Sequence, residues 1–94
     1  MHAFDVLGDP IRRRILQLLA AGEMPAGEVV LAVGEEFGIS QPAVSQHLRV
    51  LRMSGLVRSD LHGKTRTYHL TDEHVAHIVR DAVQHATEED PHGN

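Results

Sequence analysis

The sequence predicts a mainly α-helical domain with one small β-hairpin, and three observations predict it. Apolar residues recur at helical spacing in four stretches that begin near Ile11, Val29, Val44 and Val75. Two short runs on either side of a glycine-containing turn, Leu56 to Asp60 and Thr65 to Leu70, read as paired strands. Capping residues fall where these patterns start and stop, with Asp9-Pro10 and Ser40 at starts and Gly22 and Gly55 at ends.

Asp9-Pro10 is an N-cap followed by a proline at the first helical position, where its missing N–H costs nothing. Ile11, Ile15, Leu18 and Leu19 give that helix its apolar side, and Gly22 closes it. Before it, His2 to Leu7 is expected to make a helical turn that carries Phe4 and Leu7 to a core or an interface. The next helix runs from about Ala26 to Phe37 with Val29, Val30, Val33 and Phe37 inward. Gly34 inside it costs about 1 kcal/mol relative to alanine. Gly38-Ile39-Ser40 is a tight turn, and Ser40 caps a helix over about Gln41 to Ser54 whose buried stripe is Val44, Leu48 and Leu51. These two helices form a helix-turn-helix unit.

Leu61-His62-Gly63-Lys64 is expected to join the two strands. Thr71 or Asp72 then caps a last helix with an apolar face of Val75, Ile78, Val79, Ala82, Val83 and Ala86. Residues 1–88 read as one domain, and residues 89–94 as a polar, frayed tail. A helix-turn-helix followed directly by a basic hairpin is a winged helix-turn-helix.

The chain has 94 residues and no cysteine, which suits one small domain without disulfides or thiolate metal sites. No apolar run is long enough to cross a membrane, and the start lacks the basic-then-apolar pattern of a signal peptide, so a cytoplasmic location is expected. The net charge of −4 hides a division by segment. Residues 39–70 carry Arg49, Arg52, Arg58, Lys64 and Arg66 against Asp60 alone, whereas both flanks are acidic. A basic stretch between acidic ones suits a localised phosphate-facing surface.

Gln41, Ser45, Gln46 and Arg49 face away from the Val44/Leu48/Leu51 stripe, and Gln and Arg suit bidentate contacts with adenine and guanine edges. Ser40, His47, Arg52, Lys64 and Arg66 are expected at phosphates, fixing register without reading sequence. Arg12, Arg13 and Arg14 either add backbone contacts or form a solvated face with acidic partners of their own. The partner implied is double-stranded DNA. No nucleophile–base constellation is present, which argues against an enzyme.

The last helix adds a second chemistry. Asp72, His74, His85 and Glu88 supply two imidazoles and two carboxylates, a donor set suited to zinc, with cobalt or nickel as alternatives. His74 and His85 are 11 residues apart, hence within about 20° of one face but roughly 16 Å apart along the axis. One ion cannot bridge that distance within one helix. An antiparallel second copy would bring Asp72 and His74 to the partner's His85 and the partner's Glu88, so the spacing implies a homodimer with two such sites. Phe4, Leu7, Val75, Ile78, Val79, Ala82 and Val83 are the expected dimer interface. His2, Asp81 or His92 could be recruited by a metal that prefers more ligands.

Three segments, Leu7-Gly-Asp-Pro-Ile-Arg-Arg-Arg-Ile-Leu, Ile39-Ser-Gln-Pro-Ala-Val-Ser-Gln-His-Leu-Arg-Val-Leu and Gly55-Leu-Val-Arg-Ser, resemble the ArsR/SmtB family of bacterial winged-helix repressors. The resemblance runs from about Phe4 to Glu88. It implies dimerisation through the terminal helices, the first of them carrying Phe4 and Leu7, and operator binding that metal weakens. The family's thiolate site is ruled out by the absence of cysteine. Its last-helix pattern, Asp-x-His then ten residues then His-x-x-Glu or His, is matched at Asp72, His74, His85 and Glu88. That pattern belongs to the family's zinc sensors. The helix over 26–37 is about one turn longer than in typical metal sensors and is similar to a branch without a known metal. A metal-independent repressor therefore stands as the alternative, with a protein-interaction or metal-buffering module as a third reading.

Overall fold

The computed structural model describes residues 8–88, except for the side chains at 83 and 85–88. Helix α1 (Pro10–Ala21) starts as its cap dictates: Asp9 Oδ1 accepts from the backbone N–H of Ile11 at 2.8 Å and of Arg12 at 3.1 Å. Burial raises the Asp9 carboxyl pKa, but the N–H groups of Arg12 and Ile11, aided by the charges of His47 and Arg12, bring it below its ordinary 3.8. A lowered acid stabilises the fold above its unfolded pKa and loses that contribution as pH falls through the folded value. Asp9→Ala is therefore expected to cost about 1 kcal/mol at neutral pH. In thermal melts, the gap from wild type should close as pH drops below the ordinary carboxylate range; a gap that persists in acid would contradict the cap.

After α1 the chain forms a two-residue strand, β1 (Met24–Pro25), that the sequence reading did not contain. Helix α2 (Ala26–Phe37) follows at once and ends at Gly38 in the left-handed region, φ 66° and ψ 37°. The N–H groups of Gly38 and Ile39 both return to the Gly34 carbonyl, the latter at 3.2 Å. A Cβ on Gly34 would lie 3.2 Å from the Ile39 carbonyl oxygen, so glycine here permits the tight turn into the next helix. Helix α3 (Gln41–Met53) is capped by Ser40, whose Oγ accepts from Ala43 N–H at 3.3 Å.

Strands β2 (Val57–His62) and β3 (Thr65–Leu70) pair antiparallel from Val57 opposite Leu70 to His62 opposite Thr65. The expected four-residue connection is thus a two-residue turn, Gly63-Lys64, and Leu61 and His62 belong to the strand. Gly63 has φ 64°, which suits the first central position of a type II′ hairpin turn. Strand β1 pairs on the other side of β3, with Met24 opposite Tyr68 and Pro25 opposite Thr67, so the sheet order is β1-β3-β2.

Helix α4 (Glu73–Glu88) is capped by Asp72, whose Oδ1 accepts from Val75 N–H at 2.9 Å. One core joins all layers: Ile15, Leu16 and Leu19 of α1, Val29 and Val33 of α2, Val44, Leu48 and Leu51 of α3, Val57 of β2, and Val75 and Val79 of α4. Within one protomer this core takes up part of the apolar face of the last helix. Val79 is 1 % exposed and Val75 9 % within a single protomer. Periodicity marks an apolar stripe but not what covers it, and the nearest cover is α1. Ile78, 40 % exposed, and half-buried Ala82 remain open on α4. Phe4 and Leu7, the tail 89–94, and the Val83 side chain lie outside the described residues. Among the described residues no helix is long and apolar enough to cross a membrane.

Candidate nucleic-acid interface

Helix α3 is anchored by its inner face, with Val44 and Leu51 fully buried and Leu48 nearly so. Its outer face is therefore presented rigidly. Gln41, Ser45, Gln46, Arg49 and Arg52 are all exposed, as the 3.6-residue period requires. Gln41 and Ser45 line an open hollow of about 410 Å³ between α2, α3 and β3, floored by Val30, Leu48 and Tyr68. Lys64, Thr65 and Arg66 line a second hollow of about 610 Å³ against Ala26, Gly27 and Leu31 at the start of α2. The wing and the recognition helix thus flank one α2 edge, on which Leu31 is 61 % exposed.

Several expected phosphate contacts turn out to have local roles as well. Ser40 is exposed but its Oγ is engaged in the cap of α3. His47 is half-buried and sits close enough to Asp9 for its charge to act on that carboxylate, which places it at the start of α1. Arg66 Nη1 donates to Ser59 Oγ at 2.7 Å across the hairpin, so its guanidinium is held along the wing while remaining exposed. Lys64 stands at the turn itself and is exposed.

Two of the α1 arginines contact acids in known geometry. Arg14 Nε donates to Glu36 Oε1 at 2.9 Å, tying α1 to α2, and Arg12 reaches Asp9 at 3.4 Å. Arg14 fits the solvated face with an acidic partner, whereas the Arg12 side chain is largely buried beside Asp9.

The wing also holds a pair that sequence inspection missed. His69 Nε2 lies 2.8 Å from Asp60 Oδ2, and Arg58 is the register partner of His69. A two-residue turn would have revealed the pairing, because it puts Asp60 and His69 diagonally on one face.

On α4, Asp72 and His74 are both exposed at the N-terminal end. Oδ1 of Asp72 is used by the cap, which leaves Oδ2 free to act as a donor to an ion. The helix is continuous from Glu73 to Glu88, so His74 and His85 are separated as the spacing implies, and the His85 and Glu88 side chains lie outside the described residues. His2 and His92 lie outside them too, and Asp81 is exposed on the middle of the helix. Among the described residues no three potential ligands gather at one point. The donors present are nitrogen and oxygen groups, which fit a divalent ion of the zinc group, but one protomer does not assemble a complete set.

Comparison with known proteins places this geometry. The model of the arsR family of bacterial regulatory proteins matches residues 9–59. The HTH-type transcriptional repressor SmtB of Mycobacterium tuberculosis is 40 % identical over 83 residues, covering 88 % of this chain and 58 % of that protein. The HTH-type transcriptional regulator KmtR of the same organism is 41 % identical over 91 residues, covering 97 % and 67 %. The chain therefore spans about three-fifths of the length of the first of these relatives. A solution structure of a homodimeric winged helix-turn-helix DNA-binding domain from Mycobacterium bovis superposes with a TM-score of 0.79 at 28 % identity, over 96 % of this chain and 80 % of that one. The transcriptional repressor BigR from Xylella fastidiosa gives 0.68 at 35 % identity, over 83 % and 76 %. These are transcriptional regulators rather than enzymes, and the fold here is theirs, a winged helix-turn-helix with a three-stranded sheet. On the family match and the identity of its relatives, the chain belongs to the arsR family of bacterial regulatory proteins.

Proposed function

We propose that the chain is a homodimeric repressor that binds operator DNA through α3 and the wing and is released by a divalent metal held between the last helices. The observation that carries the DNA reading is the outer face of α3: Gln41, Ser45, Gln46 and Arg49 stand exposed on a helix whose inner face is fixed in the core. Rigid backing is what base-edge contacts require, since a bidentate contact tolerates little displacement. Lys64, Arg66 and Arg52 supply charge for phosphates beside it. Such a role belongs in the bacterial cytoplasm.

Homodimerisation is supported by the homodimeric neighbour and by the exposed Ile78 on α4. Phe4, Leu7, Ala82 and Val83 complete the proposed seam. The metal reading joins Asp72 and His74 to His85 and Glu88 of a second copy. Zinc suits two imidazoles with carboxylates best; cobalt fits the same donors, and nickel would need more. A bound ion would cross-link two last helices, and only a different affinity for two dimer shapes lets that act on operator binding.

In an operator titration, zinc is expected to weaken the wild-type complex by about tenfold or more, within the usual 1–3 kcal/mol of coupling. His74→Ala/His85→Ala should bind operator equally with or without zinc. If both proteins respond alike, this site is not the switch.

A metal-independent repressor is the second reading, favoured by Asp72 having a complete local role as the cap of α4. Equilibrium dialysis separates the two: no zinc uptake at micromolar metal supports the second.

A further inference from the structure

Within residues 39–70 the one acid is Asp60, and the structure sets it against His69. Both ring nitrogens of His69 face acceptors: Nε2 lies 2.8 Å from Asp60 Oδ2, and Nδ1 lies 3.0 Å from the Leu70 carbonyl oxygen. Neither of those oxygens can donate. A neutral imidazole has one N–H and would turn a lone pair toward one of them, so the imidazolium is the form that satisfies both contacts. Arg58 lies opposite His69 in the register, and β1 brings only Met24 and Pro25 to β3. On the helices packed against the sheet, Arg12, Arg14, Glu36, Glu73 and Arg80 are held in ion pairs of their own. His62, two residues from Asp60 on the same strand face, is exposed. Asp60 is thus the acid in contact with His69, and Arg58 stands beside it on the same face.

We propose that Asp60 and His69 form a proton-dependent charge switch on the wing, which strengthens binding to the DNA backbone when His69 is cationic and weakens it when His69 is neutral. This rests on the DNA-binding reading above. When His69 carries its charge, the pair is neutral, and Glu28, at the start of α2 beside Lys64 and Arg66, is the remaining acid next to the wing's cations. Loss of the proton leaves one ring N–H for two acceptors, and the pair then carries the net negative charge of a carboxylate, 58 % exposed, beside the phosphates. One extra negative charge within a Debye length of the backbone opposes binding and slows encounter.

The test is fluorescence anisotropy of the full chain with a labelled duplex of mixed sequence at low salt, at pH 5.5 and pH 8. Wild type is compared with His69→Gln, which removes the charge at both pH values, and with Asp60→Asn. His69→Gln should bind about three- to tenfold more weakly than wild type at pH 5.5 and equally at pH 8. Asp60→Asn, at an exposed site with little bearing on folding, should bind more tightly than wild type at pH 8 by a similar factor. If His69→Gln keeps the full wild-type pH response, or Asp60→Asn gains nothing at pH 8, the switch is refuted while DNA binding stands. No duplex binding by wild type at either pH overturns both.

Discussion

Arg49→Ala is expected to weaken operator binding by about five- to a hundredfold, the roughly 1–3 kcal/mol that a bidentate base contact contributes. The side chain is exposed on α3, opposite the buried Val44/Leu48/Leu51 stripe, so the melting temperature should stay within experimental error of wild type. The loss should be confined to one base-pair position: wild type discriminates there and the variant does not. Arg52→Ala and Lys64→Ala should behave differently, weakening all duplexes alike and reducing the salt slope by about one. The measurement is a competition series with single base-pair changes across each half-site. A loss for Arg49→Ala that is equal on specific and unrelated duplexes would move Arg49 from base reading to phosphate contact.

The second large effect is on the fold. Leu51 is fully buried at the junction of α3 with the core, and Leu51→Ala is expected to cost about 2–5 kcal/mol. A domain of this size has little more than that in reserve. Urea unfolding at fixed protein concentration should show a much lower midpoint or no folded baseline, since association contributes to apparent stability. Leu31→Ala is the control, because Leu31 is 61 % exposed and its loss should fall within about 0.5 kcal/mol. Equal losses at the two positions would mean that the α2 edge is covered in solution.

The helices were legible because their ends are written locally. Asp9, Ser40, Gly38 and Gly55 act within a turn of where they stand, and the bounds of α1, α2 and α3 follow from them to within a residue or two. Strand β1 was not legible. Two residues have no period, one of them is proline, and their pairing with Tyr68 and Thr67 spans more than 40 residues of chain. The wing register was misjudged for a related reason: glycine can occupy several turn positions, and only the opposite strand decides which.

Site residues divide along the same line. Which side chains of α3 face outward follows from a helical period and one buried stripe, and the structure presents Gln41, Ser45, Gln46 and Arg49 accordingly. What those side chains meet does not follow from the period. His47 lies near Asp9 at the start of α1, and Arg14 is engaged by Glu36 from another helix. Asp60 is an isolated acid in a basic stretch when read along the chain, but across the hairpin it has His69.

The Asp72/His74 and His85/Glu88 spacing is a property of sequence, set by residues per turn, and a continuous α4 preserves it. The allocation of the apolar stripe on that helix is not. Val75 and Val79 have the same chemistry and period whether they line a protomer core or a dimer seam. By itself the sequence determined the helices, their caps, the basic stretch and the donor set, because each is set by neighbours along the chain. The tertiary structure alone decided strand register, the partners of the charged groups and which apolar residues of a protomer are buried. Those depend on contacts between segments far apart in the chain, where burial and pairing compete for the same side chains.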